Sequence, residues 1–205
     1  MIDMIGGGRR MDTNTWIYIL AGVVVVVVAI YIVMKEKAND KKALSGEDKK
    51  ALAVIMNKFI SEGETCTVAY ATWEWTTFQG KSQTTQYWYY GIAFNSERIY
   101  IAPLSYDEGD ISYKNPFVLE KGDIGIVNSK PGEIWVELYD KNQQEIISLM
   151  TAAKNLNDDK FHPINILQEE EHKAFIAWKD AWMEEINAVN GITVTGKMKR
   201  PVKKK

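Results

Sequence analysis

The sequence predicts an α+β protein: one N-terminal transmembrane helix, then an antiparallel β-barrel or sandwich of about seven strands, closed by a C-terminal amphipathic helix. Three observations predict it. Residues 16–34, WIYILAGVVVVVVAIYIVM, carry no charge and no proline. Between 64 and 150, apolar residues recur with period two in short runs separated by turn sequences. From 167 to 189 the apolar spacing turns helical.

The apolar stretch at 16–34 makes a helix of about 28 Å, close to the hydrocarbon thickness of a bilayer. Trp16, Tyr18 and Tyr31 stand near its ends, where amphipathic rings favour the headgroup region. The competing reading, a buried core helix, is disfavoured because such helices carry a polar face. Lys35, Glu36, Lys37, Ala38 and Asn39 follow the run, so no small-residue cleavage site is present and the anchor is expected to stay uncleaved. Arg9 and Arg10 precede it, whereas Lys35, Lys37, Lys41, Lys42, Lys49 and Lys50 follow. That asymmetry predicts a cell-membrane protein with its N-terminus outside and the larger C-terminal part cytoplasmic. Met11 is an alternative start. Gly22 alone gives no GxxxG seam, so pairing of anchors is not expected.

The expected organisation is a short disordered extracytoplasmic N-terminus over 1–15, the anchor over 16–34, and a charged juxtamembrane segment with an amphipathic helix over 35–63. The main domain covers 64–190 and a basic tail 191–205. In the juxtamembrane segment, Ser45-Gly46-Glu47-Asp48 resembles a capping box, with serine as the cap and an acid at N3. Leu52, Ile55, Met56, Phe59 and Ile60 then recur at helical spacing up to Gly63. This helix either packs on the domain or lies along a membrane surface.

Strands are predicted at 65–78, 83–94, 98–104, 110–113, 123–128, 133–139 and 145–150. Gln79-Gly80-Lys81, Asn95-Ser96-Glu97, Asp107-Glu108-Gly109, Lys121-Gly122, Lys130-Pro131-Gly132 and Asp140-Lys141-Asn142 supply the turns. Trp88, Tyr90, Ile92 and Phe94 share one face, as do Ile134, Val136 and Leu138. Short connections imply antiparallel neighbours. The last helix carries Phe175, Trp178, Ala181, Trp182, Ile186 and Val189 as its apolar stripe. Glu169, Glu170, Glu171, Lys173, Lys179, Glu184 and Glu185 form the opposite face.

This element order resembles the pleckstrin-homology (PH)-like superfold. The stretch Gly91-Ile92-Ala93-Phe94-Asn95-Ser96-Glu97-Arg98-Ile99-Tyr100-Ile101 is similar to a hairpin of bacterial PH-like and GRAM-type domains, and Asp123-Ile124-Gly125-Ile126-Val127 resembles a later strand of the same families. The likeness covers about 64–190. It implies a binding or scaffolding module without catalysis, on the strength of fold analogy. Phosphoinositide binding is not carried over, because the turn matching the family's first hairpin offers Lys81 alone.

Chemistry-bearing residues are sparse. Net charge is −2, so no nucleic-acid partner is expected. One cysteine, Cys66, excludes an internal disulfide framework and reads as a buried, inert thiol. With only His162 and His172, no metal, cofactor or catalytic residue is assigned. Glu169-Glu170-Glu171-His172 has Glu-x-x-His spacing once only, where a di-iron site needs it twice, and reads as an acidic helix start. Asp107-Glu108-Gly109-Asp110 lacks a calcium-loop pattern and reads as an exposed turn. Gly6-Gly7-Gly8 opens no strand–helix phosphate loop.

Two features are candidate contact sites. Trp73, Trp75, Tyr87 and Tyr89 belong to a strip too aromatic for one core face; the surplus is either covered by the helix before the domain or open to a protein partner. Lys35, Lys37, Lys41 and Lys42, with Lys197, Lys199, Arg200, Lys203, Lys204 and Lys205 of the tail, are candidates for anionic lipid headgroups. For the tail, a merely solubilising role and RNA binding are the alternatives. The expected function is a single-pass anchored, non-catalytic module that binds protein or membrane surface. The alternatives are an accessory subunit of a larger membrane complex and a membrane-tethered enzyme.

Overall fold

The computed structural model describes residues 13–80, 82–107, 110–155 and 164–192, and in its first helix the side chains at 18, 20–35, 37, 41 and 43–45. That helix, α1, runs Thr13–Ser45, and α2 follows at Glu47–Met56. Ten strands come next: β1 Thr67–Gln79, β2 Ser82–Phe94, β3 Arg98–Asp107, β4 Asp110–Tyr113, β5 Phe117–Glu120, β6 Ile124–Asn128, β7 Trp135–Asp140, β8 Glu145–Met150, β9 Lys154–Asn155 and β10 Ile166–Leu167. The last element is α3, Glu169–Val189. Eight strands form one antiparallel sheet, ordered β4-β3-β2-β1-β8-β7-β6, with β5 also on β3; β9 and β10 form a small ribbon. The protein is therefore α+β, with a mostly antiparallel sheet and a C-terminal helix.

The expected transmembrane helix over 16–34 is corrected. Among the described residues, no helix is long and apolar enough to cross a membrane. α1 does not stop at the end of the apolar run but continues through the lysines as far as Ser45.

The capping-box expectation also changes. Ser45 ends α1 rather than starting α2, and Gly46, in the left-handed region at φ 68°, joins the two helices. Glycine takes that conformation without the Cβ clash other residues suffer. Asp48, expected to help cap the helix, is buried and accepts the Asn165 N–H at 2.8 Å. α2 packs on the domain. Leu52, Ile55 and Met56 meet Tyr70, Ala93, Tyr100, Ala102, Leu104, Ile164 and Ile166 on one face of the sheet. Gly91 makes this seat possible, because a Cβ there would stand 2.7 Å from Met56 Sδ and 2.9 Å from Leu52 Cδ1.

The other face holds the larger core. Ala69, Ala71, Ile92, Phe94, Ile99, Val127, Val136, Leu138 and Leu149 pack against Phe175, Trp178, Trp182, Met183 and Ile186 of α3. Phe94, Phe175, Trp178 and Trp182 form a chain of tilted and edge-on rings with centroids 4.6–5.9 Å apart. The stripe on α3 is rotated from the expected one. Ala181 and Val189 face solvent, whereas Met183, Asn187 and Lys179 are buried. Lys179, expected on the charged face, is fully buried. Its ammonium donates to Lys130 O at 2.6 Å and Ser129 Oγ at 3.2 Å, and lies 2.6 Å from Asp180. Two hydrogen bonds and an adjacent carboxylate therefore compensate the buried charge, which is what lets a lysine tolerate burial.

Two amide side chains close gaps in the sheet. β1 meets β8 only at Thr72–Met150. Just before that pair, Gln168 accepts Tyr70 N–H at 2.8 Å and donates to Tyr70 O and Ala152 O at 2.9 Å each. At the outer edge of β6, Asn187 accepts Val127 N–H at 3.1 Å and donates to Val127 O at 2.9 Å. A side-chain amide thus stands in for a peptide group of a missing strand, meeting the demand that buried backbone groups be paired.

Candidate functional site

The feature that departs most from a closed sheet is the far part of the β1–β2 hairpin. β1 and β2 pair along their whole length, Thr67–Phe94 to Gln79–Ser82. Their other neighbours stop early. β8 reaches only Thr72, and β3 reaches β2 only as far as the Tyr90–Pro103 pair. Residues 73–88 therefore form a two-stranded arm beyond the body. β3 leaves with β4, forming a separate hairpin from Leu104–Tyr113 to Asp107–Asp110. Pro103 sits where the outer partner of β3 changes from β5 to β4, a place where a strand tolerates a residue without an N–H.

The register settles which aromatics share a face. Directly opposed residues of an antiparallel pair project to the same side. Trp73 faces Trp88, Trp75 faces Gln86, and Ala71 faces Tyr90, so these share the face that continues into the α3 core. Thr72–Tyr89, Glu74–Tyr87 and Thr76–Thr85 lie on the α2 side. The four aromatic candidates thus divide, Trp73 and Trp75 on one face, Tyr87 and Tyr89 on the other. Trp73, Tyr87 and Tyr89 are half-buried. Trp75 and Trp88 are 36% and 37% exposed, and Phe78, near the turn, is 73% exposed. Within the arm, the Thr76 and Thr85 hydroxyls are 2.9 Å apart.

Phe78 and Trp88 belong to the candidate surface although sequence reasoning did not single them out as contact residues. A partial signal was available for Phe78, a large apolar residue two positions before the Gly80 turn.

The basic candidates are less informative. Lys35, Lys37 and Lys41 are exposed on α1. The side chain of Lys42, and the whole of Lys197, Lys199, Arg200, Lys203, Lys204 and Lys205, lie outside the described residues. So do Gly6-Gly7-Gly8, His162, and Glu108 and Gly109 of the acidic turn.

A half-open cleft of about 290 Å³ lies between α3 and the β2–β3 turn, lined by Phe94, Trp178 and Trp182, with Asn95, Lys121 and Glu185 at its polar edge. Its polar groups are largely engaged. Trp182 Nε1 donates to Ser96 O at 2.9 Å, Lys121 pairs with Glu185, and Asn95 Oδ1 accepts the N–H groups of Glu97 and Arg98 at 2.9 and 3.0 Å. Trp178 Nε1 is buried without a partner, at a cost that its ring packing must offset.

The titratable groups near the sheet are tied into structural contacts. Arg98 lies 3.2 Å from Glu64 and 3.6 Å from Glu120; Tyr100 donates to Glu64 at 2.6 Å. Burial, and then the Glu64 carboxylate, push the Cys66 thiol up, away from the nucleophilic thiolate. His172 Nδ1 is 2.8 Å from Thr151 Oγ1, and burial lowers its pKa. Among the described residues, no cluster of His, Cys, Asp or Glu could hold a metal ion.

Compared with known proteins, the chain matches no family model and no curated sequence.

Proposed function

We propose that the chain is a non-catalytic binding module of the PH-like kind, with the β1–β2 arm as its contact element for a protein partner. The carrying observation is the arm itself: residues 73–88 extend past every other strand and hold Trp75, Phe78 and Trp88 in solvent. Exposed tryptophan and phenylalanine on a regular scaffold suit recognition, because large rigid rings contribute contact area at small conformational cost. Supporting the PH-like reading are the strand order, two antiparallel meanders meeting at β1 and β8, and the helix that covers the remaining edge.

The test is a short-arm variant. Trp73 and Trp88 are directly opposed, so an Asn-Gly turn can replace 74–87 without disturbing the register behind them. The expected outcome is a melting temperature within about 3 °C of the parent, because the deleted residues lie outside the core. Crosslinking and affinity capture should meanwhile lose the partners that the full chain retains. Capture of the same partners by the short-arm variant would overturn the reading.

A further inference from the structure

The outer edge of β1 is treated differently along its length. Tyr70 turns its N–H and C=O away from β2, since both are held by Gln168. Alternate residues repeat that orientation, so Thr72, Glu74, Thr76 and Phe78 also present their backbone groups outward. Thr72 meets Met150 of β8. Glu74, Thr76 and Phe78 have no strand beyond them among the described residues.

We infer that this edge pairs with the same edge of a second copy of the chain, antiparallel and centred on Thr76. This rests on the arm being the contact element and names its partner. Three observations favour a second copy. First, 73–79 contains no proline, lysine or bulge, the devices by which exposed edges avoid pairing. Second, its one charge is Glu74. With a two-fold at Thr76, each Glu74 lies opposite Phe78 of the other copy, so the two carboxylates are kept apart rather than opposed. Third, a two-stranded ribbon is marginal in water, and a third and fourth strand stabilise it. The pairing adds about six backbone hydrogen bonds, two for each opposed pair.

The experiment uses the full chain carrying Cys66→Ser, with a single new cysteine at Thr76→Cys on the proposed two-fold or Gln83→Cys on the opposite edge. Opposed residues of such a pair stand within the Cα separation a disulfide accepts. Mild oxidation should crosslink the Thr76→Cys protein to a dimer at least tenfold faster than the Gln83→Cys protein. Adding Glu74→Pro should slow that crosslink about tenfold. The proline removes an outward N–H and leaves the β1–β2 ladder intact, which an unchanged melting temperature checks. Equal crosslinking at 76 and 83, or indifference to Glu74→Pro, overturns the inference. If the Thr76→Cys protein stays monomeric while the short-arm variant loses a different protein, the second-copy inference fails and the binding-module reading stands. If the Thr76→Cys protein stays monomeric and arm shortening loses no captured protein, both fail.

Discussion

The body of the domain and its arm solve the same backbone problem in opposite ways. In the body, exposed sheet edges are plugged by side chains of the last helical region: Gln168 at Tyr70, Asn187 at Val127. In the arm, a few residues further along the same strand, the edge groups of Glu74, Thr76 and Phe78 have no such plug among the described residues. The body also buries a chain of four tilted and edge-on rings, whereas the arm holds Trp75, Phe78 and Trp88 at the surface. The difference separates a part built for stability from a part whose stability is incomplete on its own.

The sharpest way to break the body is Trp182→Ala, which removes a ring that is 1% exposed and its bond to Ser96. We expect a loss of about 3–5 kcal/mol in chemical denaturation. Next, Gln168→Ala strands two buried backbone groups of Tyr70 and frees the part-buried Ala152 O, and should cost about 2–3 kcal/mol. Asn187→Ala strands two and should cost about 2 kcal/mol. Equal tolerance of these substitutions would remove the distinction between plugged and open edges.

A smaller effect is expected from pH. Burial lowers the His172 pKa, so the unfolded chain binds the proton more readily. Stability from this group is fully present above the unfolded value, about 6.5, and is lost as pH falls through the folded value. Thermal melts between pH 7.5 and 5 should slope accordingly, and His172→Asn should flatten that part of the slope. Smallest of all, Trp75→Ser or Phe78→Ser in the arm should change stability by less than about 0.5 kcal/mol. A loss comparable to Gln168→Ala would mean that the arm belongs to the body.

The period-two pattern identified most strands because alternation and turn residues are local signals. β5 was missed because Phe117-Val118-Leu119-Glu120 is too short to alternate legibly, and its pairing with β3 is a long-range fact. The rotation of α3 was illegible for a related reason. Lys179 and Asn187 look like surface residues until the Ser129–Lys130 turn and the β6 edge arrive beside them. The aromatic excess falls on the β1–β2 hairpin. Which rings share a face required the register. The reach of the arm required knowing where β3 and β8 end, and no residue inside β1 or β2 encodes that. The apolar run of α1 was plain in the sequence, but among the described residues no helix is both long and apolar enough to cross a membrane.

Gly91 has a mechanical consequence. α2 rests on the sheet over a position without a side chain, and Gly46 joins α2 to the 33 residues of α1. At 1.5 Å per residue that rod is about 50 Å long, so tipping α2 by 10° swings its far end by roughly 9 Å. A methyl group at residue 91 would meet the flexible ends of Met56 and Leu52, so either those ends repack or α2 tips, and any tip is multiplied along α1.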